Sequence, residues 1–363
     1  MTDVAIVHDY IVERGGSERV LLSMHRAFPS ATIHTAFFRP EATFTEFGSL
    51  PVRPFAINRI KPLRNNHRAA LPLLPIVFGR TRIDADVVIC GTSGWSAGVA
   101  ASGRKVLYMH APTRWLNDQD AFLVGRSGIE RSGLRALEGW LRKWDQRAVA
   151  SGDCHVVGSR SMAETIKALY GVDPIVLPPA VTIDPDGEAR APVDGLGSGF
   201  VLCPARLVAS KQVGTVIEAF RRRSDDHLVV AGGGPQLARL RAVAPSNVSL
   251  VGPADDREMR WLFRHCRAVV GASHESFGLI TVEAAAFGKP SVVLQRGGFV
   301  DTVVDGVTGV FFDRADADAI ADAIERLAGL AVDADRLRAH ASQWSERAFI
   351  DGLRTIVNGG GIT

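Results

Sequence analysis

Residues 274–290 read HESFGLITVEAAAFGKP. Two carboxylates, Glu275 and Glu283, stand eight positions apart in a segment whose Phe277, Leu279 and Ile280 border a core. The residues just before it, VVGAS, are a β-branched run that predicts a strand. GLITVEAAAFG predicts a short helix ended by Gly288, with Lys289 and Pro290 as stop signals. Glu275 then precedes the helix and Glu283 lies within it, at most about 12 Å away at helical rise. Between them the N–H groups of Ser276, Phe277, Gly278 and Leu279 are placed to cradle phosphate and sugar oxygens, and each carboxylate to accept hydroxyl hydrogens. A nucleoside diphosphate sugar has this span, whereas paired carboxylates for glycoside hydrolysis stand about 5–9.5 Å apart across one bond. The plainer alternative makes Glu275 a charge at a helix N-terminus and Glu283 a buried ion-pair partner.

The strand-then-helix habit runs along the whole chain. VAIVHDY, ATIHTAFF, DVVICGT, KVLYMH and CHVVGS recur in the first half, and FVLCPA, HLVVAGGG, VSLVG, AVVGAS and SVVLQ in the second. Such runs predict parallel sheets covered on both faces. A length of 363 residues accommodates two doubly wound domains, which makes the fold class α/β. The alternation pauses across the proline- and glycine-rich stretch 177–199, with the hinge near Pro178 to Val181. The expected domains are therefore 1–180 and 181–343, with 344–363 a terminal helix packing back on the first. With 46% hydrophobic and 22% charged residues the chain is an ordinary globular protein, and a net charge of +3 does not suggest nucleic acid as a partner. Cys90, Cys154, Cys203 and Cys266 form no metal-like or paired spacing and read as reduced, buried thiols, hence a cytoplasmic protein. The N-terminus lacks a leader-like pattern, and no apolar run reaches about eighteen residues, so the expectation is a chain neither exported nor membrane-spanning.

Ligands of doubly wound domains bind beyond the carboxyl ends of strands. Of 42 basic residues only six are lysine, so Lys211, five residues after Arg206 in PARLVASK, is informative. Two cations bracketing a strand-to-helix turn suit a diphosphate. Gly15 and Gly16, before Ser17 as a helix N-cap, would let backbone approach an anion. His110 in YMHAPTRWL ends a strand beside Arg114 and Trp115 and is placed to hydrogen-bond a sugar hydroxyl or a phosphate. Gly232, Gly233 and Gly234, before Pro235 at a helix N1 position, read equally as a ligand-facing turn or a sharp connection.

The E-x7-E pattern of HESFGLITVE resembles that of the retaining glycosyltransferases of family 4, which have the GT-B fold. HDY…GGSERV, PARLVASK, GGGP and VVDGVTGVFF extend the resemblance over nearly the whole chain. It implies two Rossmann-like domains with an interdomain cleft, a nucleotide-sugar donor (GDP- or UDP-linked) as substrate, and neither cofactor nor metal. It also implies that Arg206 and Lys211 hold the diphosphate and Glu283 the ribose. Glu275 and the backbone at Phe277 to Leu279 would take the sugar hydroxyls, Gly16 a phosphate, and His110 the donor sugar. HAPTRW is similar to an HTP-x-RY element of bacterial surface-polysaccharide members, many of them mannosyltransferases, and departs from it at Ala111 and Trp115.

Residues 51–83 carry seven basic residues and no acidic one. Arg59, Lys61, Arg64 and Arg68 interleave with Ile60 and Leu71, which suits an anionic lipid headgroup or a lipid-linked acceptor; a basic loop over the core is the alternative. Leu134, Leu137, Leu141 and Trp144 form a helical stripe read as core-facing. The expected activity is retaining transfer of a hexose, with mannose the leading candidate, to a lipid-linked glycan or polysaccharide precursor at the inner face of the membrane. The rivals are another GT-B chemistry, an epimerase or a phosphorylase, and a non-catalytic nucleotide-sugar-binding module.

Overall fold

The computed structural model describes residues 2–117 and 128–360. The first half supplies strands β1 (Val4–His8), β2 (Thr32–Thr35), β3 (Val52–Pro54), β4 (Arg82–Ile83), β5 (Val87–Thr92), β6 (Ala100–Ala101), β7 (Arg104–Met109), β8 (Cys154–Val157) and β9 (Ile175–Val176). The second half supplies β10 (Val201–Pro204), β11 (Leu228–Ala231), β12 (Val248–Gly252), β13 (Ala268–Gly271), β14 (Ser291–Leu294) and β15 (Gly309–Phe312). One sheet has the order β3-β2-β1-β5-β7-β8-β9, the other β12-β11-β10-β13-β14-β15, and β4 pairs with β6. All of these pairings are parallel. By contacts the chain divides into two compact units, Met1–Ala180 with Glu346–Thr363, and Val181–Ser345.

The period of two along each strand feeds two cores in the first unit. Val7, Val88, Cys90, Leu107 and Val157 face one side, and Ile6, Ile89, Val106, Tyr108 and Val156 the other. A sheet buried on both faces needs helices on both, and the second face takes one from the end of the chain. Helix Glu346–Val357 lies along helix Gly16–Ala27 and inserts Phe349, Leu353, Ile356 and Val357 among Val20, Leu21 and Met24. Glu346 accepts hydrogen bonds from Ser23 Oγ at 2.7 Å and Arg26 Nη1 at 2.5 Å. Arg104 donates to the carbonyls of Ile356 (2.5 Å) and Val357 (3.1 Å), neutralising the helix's negative end. In the second unit the N–H of Val181 bonds the carbonyl of Trp344 at 2.8 Å, so the two ends of the unit lie side by side.

Several local expectations shift. The N-cap of helix Gly16–Ala27 is Gly15, with extended backbone, so Ser17 sits inside the first turn. The helix after GGGP begins at Leu237, two residues beyond Pro235. Helix Gly128–Ala150 buries Leu141, Asp145, Ala148 and Val149, while Leu137 is exposed and Trp144 half-buried. The buried stripe thus follows a phase that excludes Leu137, and the Leu134 side chain lies outside the described residues. The four thiols are free, with Cys154 half-buried and the others buried. Among the described residues no helix is long and apolar enough to cross a membrane.

Phe349 is fully enclosed and meets the Tyr108 ring edge-on at 5.9 Å. Phe349→Ala is expected to lower the unfolding free energy by about 3–5 kcal/mol, the usual cost of emptying an aromatic core site. Urea denaturation checks this; a loss below about 1 kcal/mol would mean the terminal helix is not part of that core.

Candidate functional site

In the second unit the winding reverses between β10 and β13, where connections leave in opposite directions and open a crevice at the carboxyl ends of the strands. The turns after these strands carry Arg206 and Lys211 on one side and Glu275 to Leu279 on the other. Lys211 ends the short turn Ala209–Lys211, and its ammonium donates to Glu275 Oε1. Ser273 Oγ donates to the same oxygen at 2.5 Å. The Lys211 and Glu275 side chains are only 18% and 21% exposed, so water screens the pair weakly.

The backbone around Glu275 is fixed from below. Glu275 forms a parallel bridge with Gly297, and the Gly298 N–H donates to the Glu275 carbonyl at 2.7 Å. Helix Leu279–Ala286 opens at Gly278, whose φ of +90° is left-handed; a Cβ there would also meet Phe299 at 2.6 Å. No side chain caps this helix, which leaves N–H groups of its first turn for a ligand. Phe277 is buried with Val282 and Trp344, so only its backbone is offered to the crevice. Ser276 and Leu279 flank it, and Glu283 is half-buried one turn into the helix.

Backbone hydrogen bonds hold the loop bearing Arg206. Ala205 N–H bonds the Ala231 carbonyl at 3.0 Å, and Leu207 N–H the Gly233 carbonyl at 2.8 Å. A Cβ on Gly232 would collide with the Ala205 carbonyl, and one on Gly234 would lie 2.5 Å from the Leu207 carbonyl. The glycine triplet therefore lets this loop pack tightly, and it positions Arg206.

In the first unit the reversal falls between β1 and β5. Past β1, Asp9 is 3% exposed, and its carboxylate accepts the N–H groups of Ser93 (2.8 Å), Trp95 (3.2 Å) and Ser96 (2.6 Å). Burial raises its pKa against these bonds. His110 follows β7, with its N–H on the Thr92 carbonyl at 2.9 Å. Its ring stands edge-on to that of His8, centroids 5.6 Å apart. Burial pushes His8 down to about 4, with a smaller opposing pull from the Gly91 backbone; burial, then repulsion from His8, pushes His110 to about 3. Both imidazoles are neutral at pH 7. Thr113, three residues on, donates to the buried Asp145 at 2.5 Å, and Tyr170 donates to the other oxygen of Asp145 at 2.8 Å. The side chains of Arg114 and Trp115 lie outside the described residues.

At the glycine turn a Cβ on Gly16 would meet open space, whereas one on Gly15 would lie 2.5 Å from Glu18 Oε2. Glu18 is buried and accepts from Ser17 Oγ at 2.9 Å, so a carboxylate already stands at this helix N-terminus. Arg59 and Lys61 are exposed around an exposed Ile60, and Arg64 is half-buried; the Arg68 side chain lies outside the described residues. Among the described residues no group of three or more His, Cys, Asp or Glu is placed to hold a metal ion. The sequence reading passed over His8, Asp9, Ser273, Gly297 and Gly298; the signal for the first two was HDY at a strand's carboxyl end.

Two Rossmann-like sheets of this kind define the GT-B class, and solved structures carry the same fold. HepE of Anabaena in complex with UDP-glucose aligns with a TM-score of 0.71 at 18% identity, covering 98% of this chain and 100% of that one. The family profile "Glycosyltransferase Family 4" matches residues 14–184, and "Glycosyl transferases group 1" matches residues 191–344. The chain belongs to this glycosyltransferase family. Among curated relatives, a GDP-mannose-dependent alpha-(1-6)-phosphatidylinositol monomannoside mannosyltransferase of Mycolicibacterium smegmatis is 37% identical over 41% of this chain and 45% of its own length. A D-inositol 3-phosphate glycosyltransferase of Xylanimonas cellulosilytica is 33% identical over 53% of this chain. The chain spans about half the length of these relatives, 45% and 52%.

A buried neutral histidine makes stability depend on pH. The unfolded chain takes up the His8 proton near pH 6.5 and the folded chain only near 4. Stability therefore falls as pH drops through this window, by up to about 3 kcal/mol from His8. Asp9 and Asp145, raised by burial, act in the opposite sense at the acid end. His8→Phe should shrink the difference in unfolding free energy between pH 7 and pH 4.5. An unchanged difference would show that His8 is not held neutral.

Proposed function

We propose that this protein is a retaining, metal-independent hexosyltransferase that uses a GDP- or UDP-linked sugar. The observation that carries the reading is the Lys211–Glu275–Ser273 cluster beside the uncapped start of helix Leu279–Ala286, at the reversal of a Rossmann-like sheet. Lys211 and Arg206 take the diphosphate, supplying the positive charge that a metal would otherwise bring. Glu283 accepts from the ribose. Glu275 and the N–H groups of Phe277, Gly278 and Leu279 take the sugar hydroxyls, with Ser276 in the same turn. Gly15 and Gly16 let a phosphate approach their helix, and His110 contacts the sugar. The bond from the anomeric carbon to the diphosphate oxygen breaks as the acceptor oxygen bonds that carbon from the same face, and the acceptor proton passes to the departing phosphate. Positioning and stabilisation of the leaving charge supply most of the rate. The named activities of the mycobacterial relative and the UDP-glucose in HepE support a nucleotide-sugar donor, and the former supports mannose and a lipid-linked acceptor. Such an acceptor brings the chain to the inner membrane face, with Arg59, Lys61, Arg64 and Arg68 as the contact.

Calorimetric titration with GDP, UDP and ADP, then with the matching sugars, tests the donor. One nucleotide should bind without added metal, and Glu283→Ala should weaken it about ten-fold or more, the scale of a lost hydrogen bond. Lys211→Ala should reduce kcat by about 10²-fold with acceptor KM little changed. Absence of binding by every nucleotide would defeat the reading.

The membrane contact has its own measurement. Arg59→Glu with Lys61→Glu should abolish co-sedimentation with phosphatidylglycerol vesicles at 0.1 M salt. Equal co-sedimentation of wild type and variant would reject this surface.

A further inference from the structure

The turn 277–279 has no capping side chain of its own, yet the last elements of the second unit hold it from two sides. Helix Ala334–Ala341 packs along helix Leu279–Ala286, with Leu337 and Ala341 buried against Ala285, and runs into the short turn Ser342–Trp344. From there the Trp344 ring meets Phe277 edge-on, centroids 6.2 Å apart, in a cluster that includes Val282. His340 donates from Nε2 to the Thr302 carbonyl at 2.9 Å. Thr302 Oγ1 lies 2.8 Å from Thr281 Oγ1, and Thr281 Oγ1 donates to the Gly278 carbonyl at 2.7 Å. Both threonines are buried, at 2% exposed, so water does not compete for this chain. The His340 and Trp344 rings stand edge to face at 4.7 Å, and the Trp344 carbonyl takes the Val181 N–H at 2.8 Å, which anchors the far end of the segment.

We infer that His340 and Trp344 are positioning residues for the turn 277–279. Trp344 sets the Phe277 side chain, and His340 sets the Gly278 carbonyl through Thr302 and Thr281. A peptide unit is planar, so a fixed Gly278 carbonyl also fixes the Leu279 N–H, which points the opposite way from the same plane. Gly278 has no side chain to anchor and sits at φ +90°, so the hold on this plane comes from outside the turn. Hydrogen bonds weaken steeply as the donor angle closes, and an N–H swung aside loses its ligand although no group has left the site. A purely structural role for the two rings would cost stability alone. A positioning role costs recognition of whatever the turn meets, and spares the nucleotide contacts of Arg206 and Lys211 on another loop and of Glu283 further into the helix. That the turn meets a sugar rests on the glycosyltransferase reading; the bracing contacts do not.

The test uses the full chain and two readouts. Backbone amide NMR of the ²H,¹⁵N-labelled protein without ligand reads the turn itself: in Trp344→Leu and in Thr302→Val, which breaks the link from His340, the amide signals of Phe277, Gly278 and Leu279 should move. Calorimetry then compares GDP and UDP with GDP-mannose and UDP-glucose. Both variants should bind the nucleotide sugar about ten-fold more weakly, and the bare nucleotide within about two-fold of wild type. Trp344→Phe, which keeps an aromatic edge, should recover most of the loss. Phe349→Ala, which costs stability in the other unit, should leave the ratio of the two affinities unchanged. Unmoved amides overturn the inference whatever binds. Equal loss of nucleotide and nucleotide sugar, or loss of neither, makes the two rings structural and overturns it as well. If the amides move but no nucleotide binds the wild type, the brace on the turn stands and the donor reading falls.

Discussion

Between β10 and β13, and again between β1 and β5, successive crossover connections leave the sheet in opposite directions, so no helix covers the carboxyl ends of these central strands. A parallel sheet must otherwise be covered on both faces, because its strands are apolar on both. The reversal is thus the place in each unit where backbone and polar side chains meet a gap without breaking a core. Buried and half-buried polar groups gather there: Asp9, His8 and His110 in one unit, Ser273 and Glu275 with Lys211 in the other.

The two gatherings are satisfied differently. Asp9 brings its carboxyl group into the protein and finds three N–H groups of one short segment, 93–96, which fixes the loop after β5. Glu275 instead finds a side-chain cation and a hydroxyl, both able to let go. The first arrangement is rigid because it is built of backbone, while the second can exchange partners. The glycines are closed against their neighbours in both units: Gly232 and Gly234 against carbonyls, Gly91 against the rings of His8 and His110.

The sheets were legible because their central strands are unbroken apolar runs such as VAIVH and LVVA, which no amphipathic helix produces. The edge strands of the first sheet were not. β3 contains Arg53 and Pro54, tolerated since an edge strand leaves one side unpaired, and β9 is only two residues long. The Leu137 stripe misled because periodicity gives a helix face without giving its phase against the sheet. Lys211 and Glu275 stood out as charges at strand ends. Their pairing joins residues 64 apart at the ends of β10 and β13, and local sequence does not encode it. His8 and Asp9 carried no such mark, since only the return of segment 93–96 buries Asp9.

The Lys211–Glu275 pair also bears on which ligand the proposed donor site accepts. A diphosphate that draws Lys211 away takes a cation from a half-buried carboxylate, and loss of one partner of such a pair is costly. Free phosphate or a bare nucleoside diphosphate brings the charge for Lys211 and nothing for Glu275. A nucleotide sugar brings both, because its hydroxyls donate to the carboxylate that the lysine has vacated. The ion pair thereby penalises partial ligands and makes the sugar restore the balance that the diphosphate disturbs. Part of the binding energy is then available only to the complete donor, which is the condition for using it on the reaction in preference to holding the product.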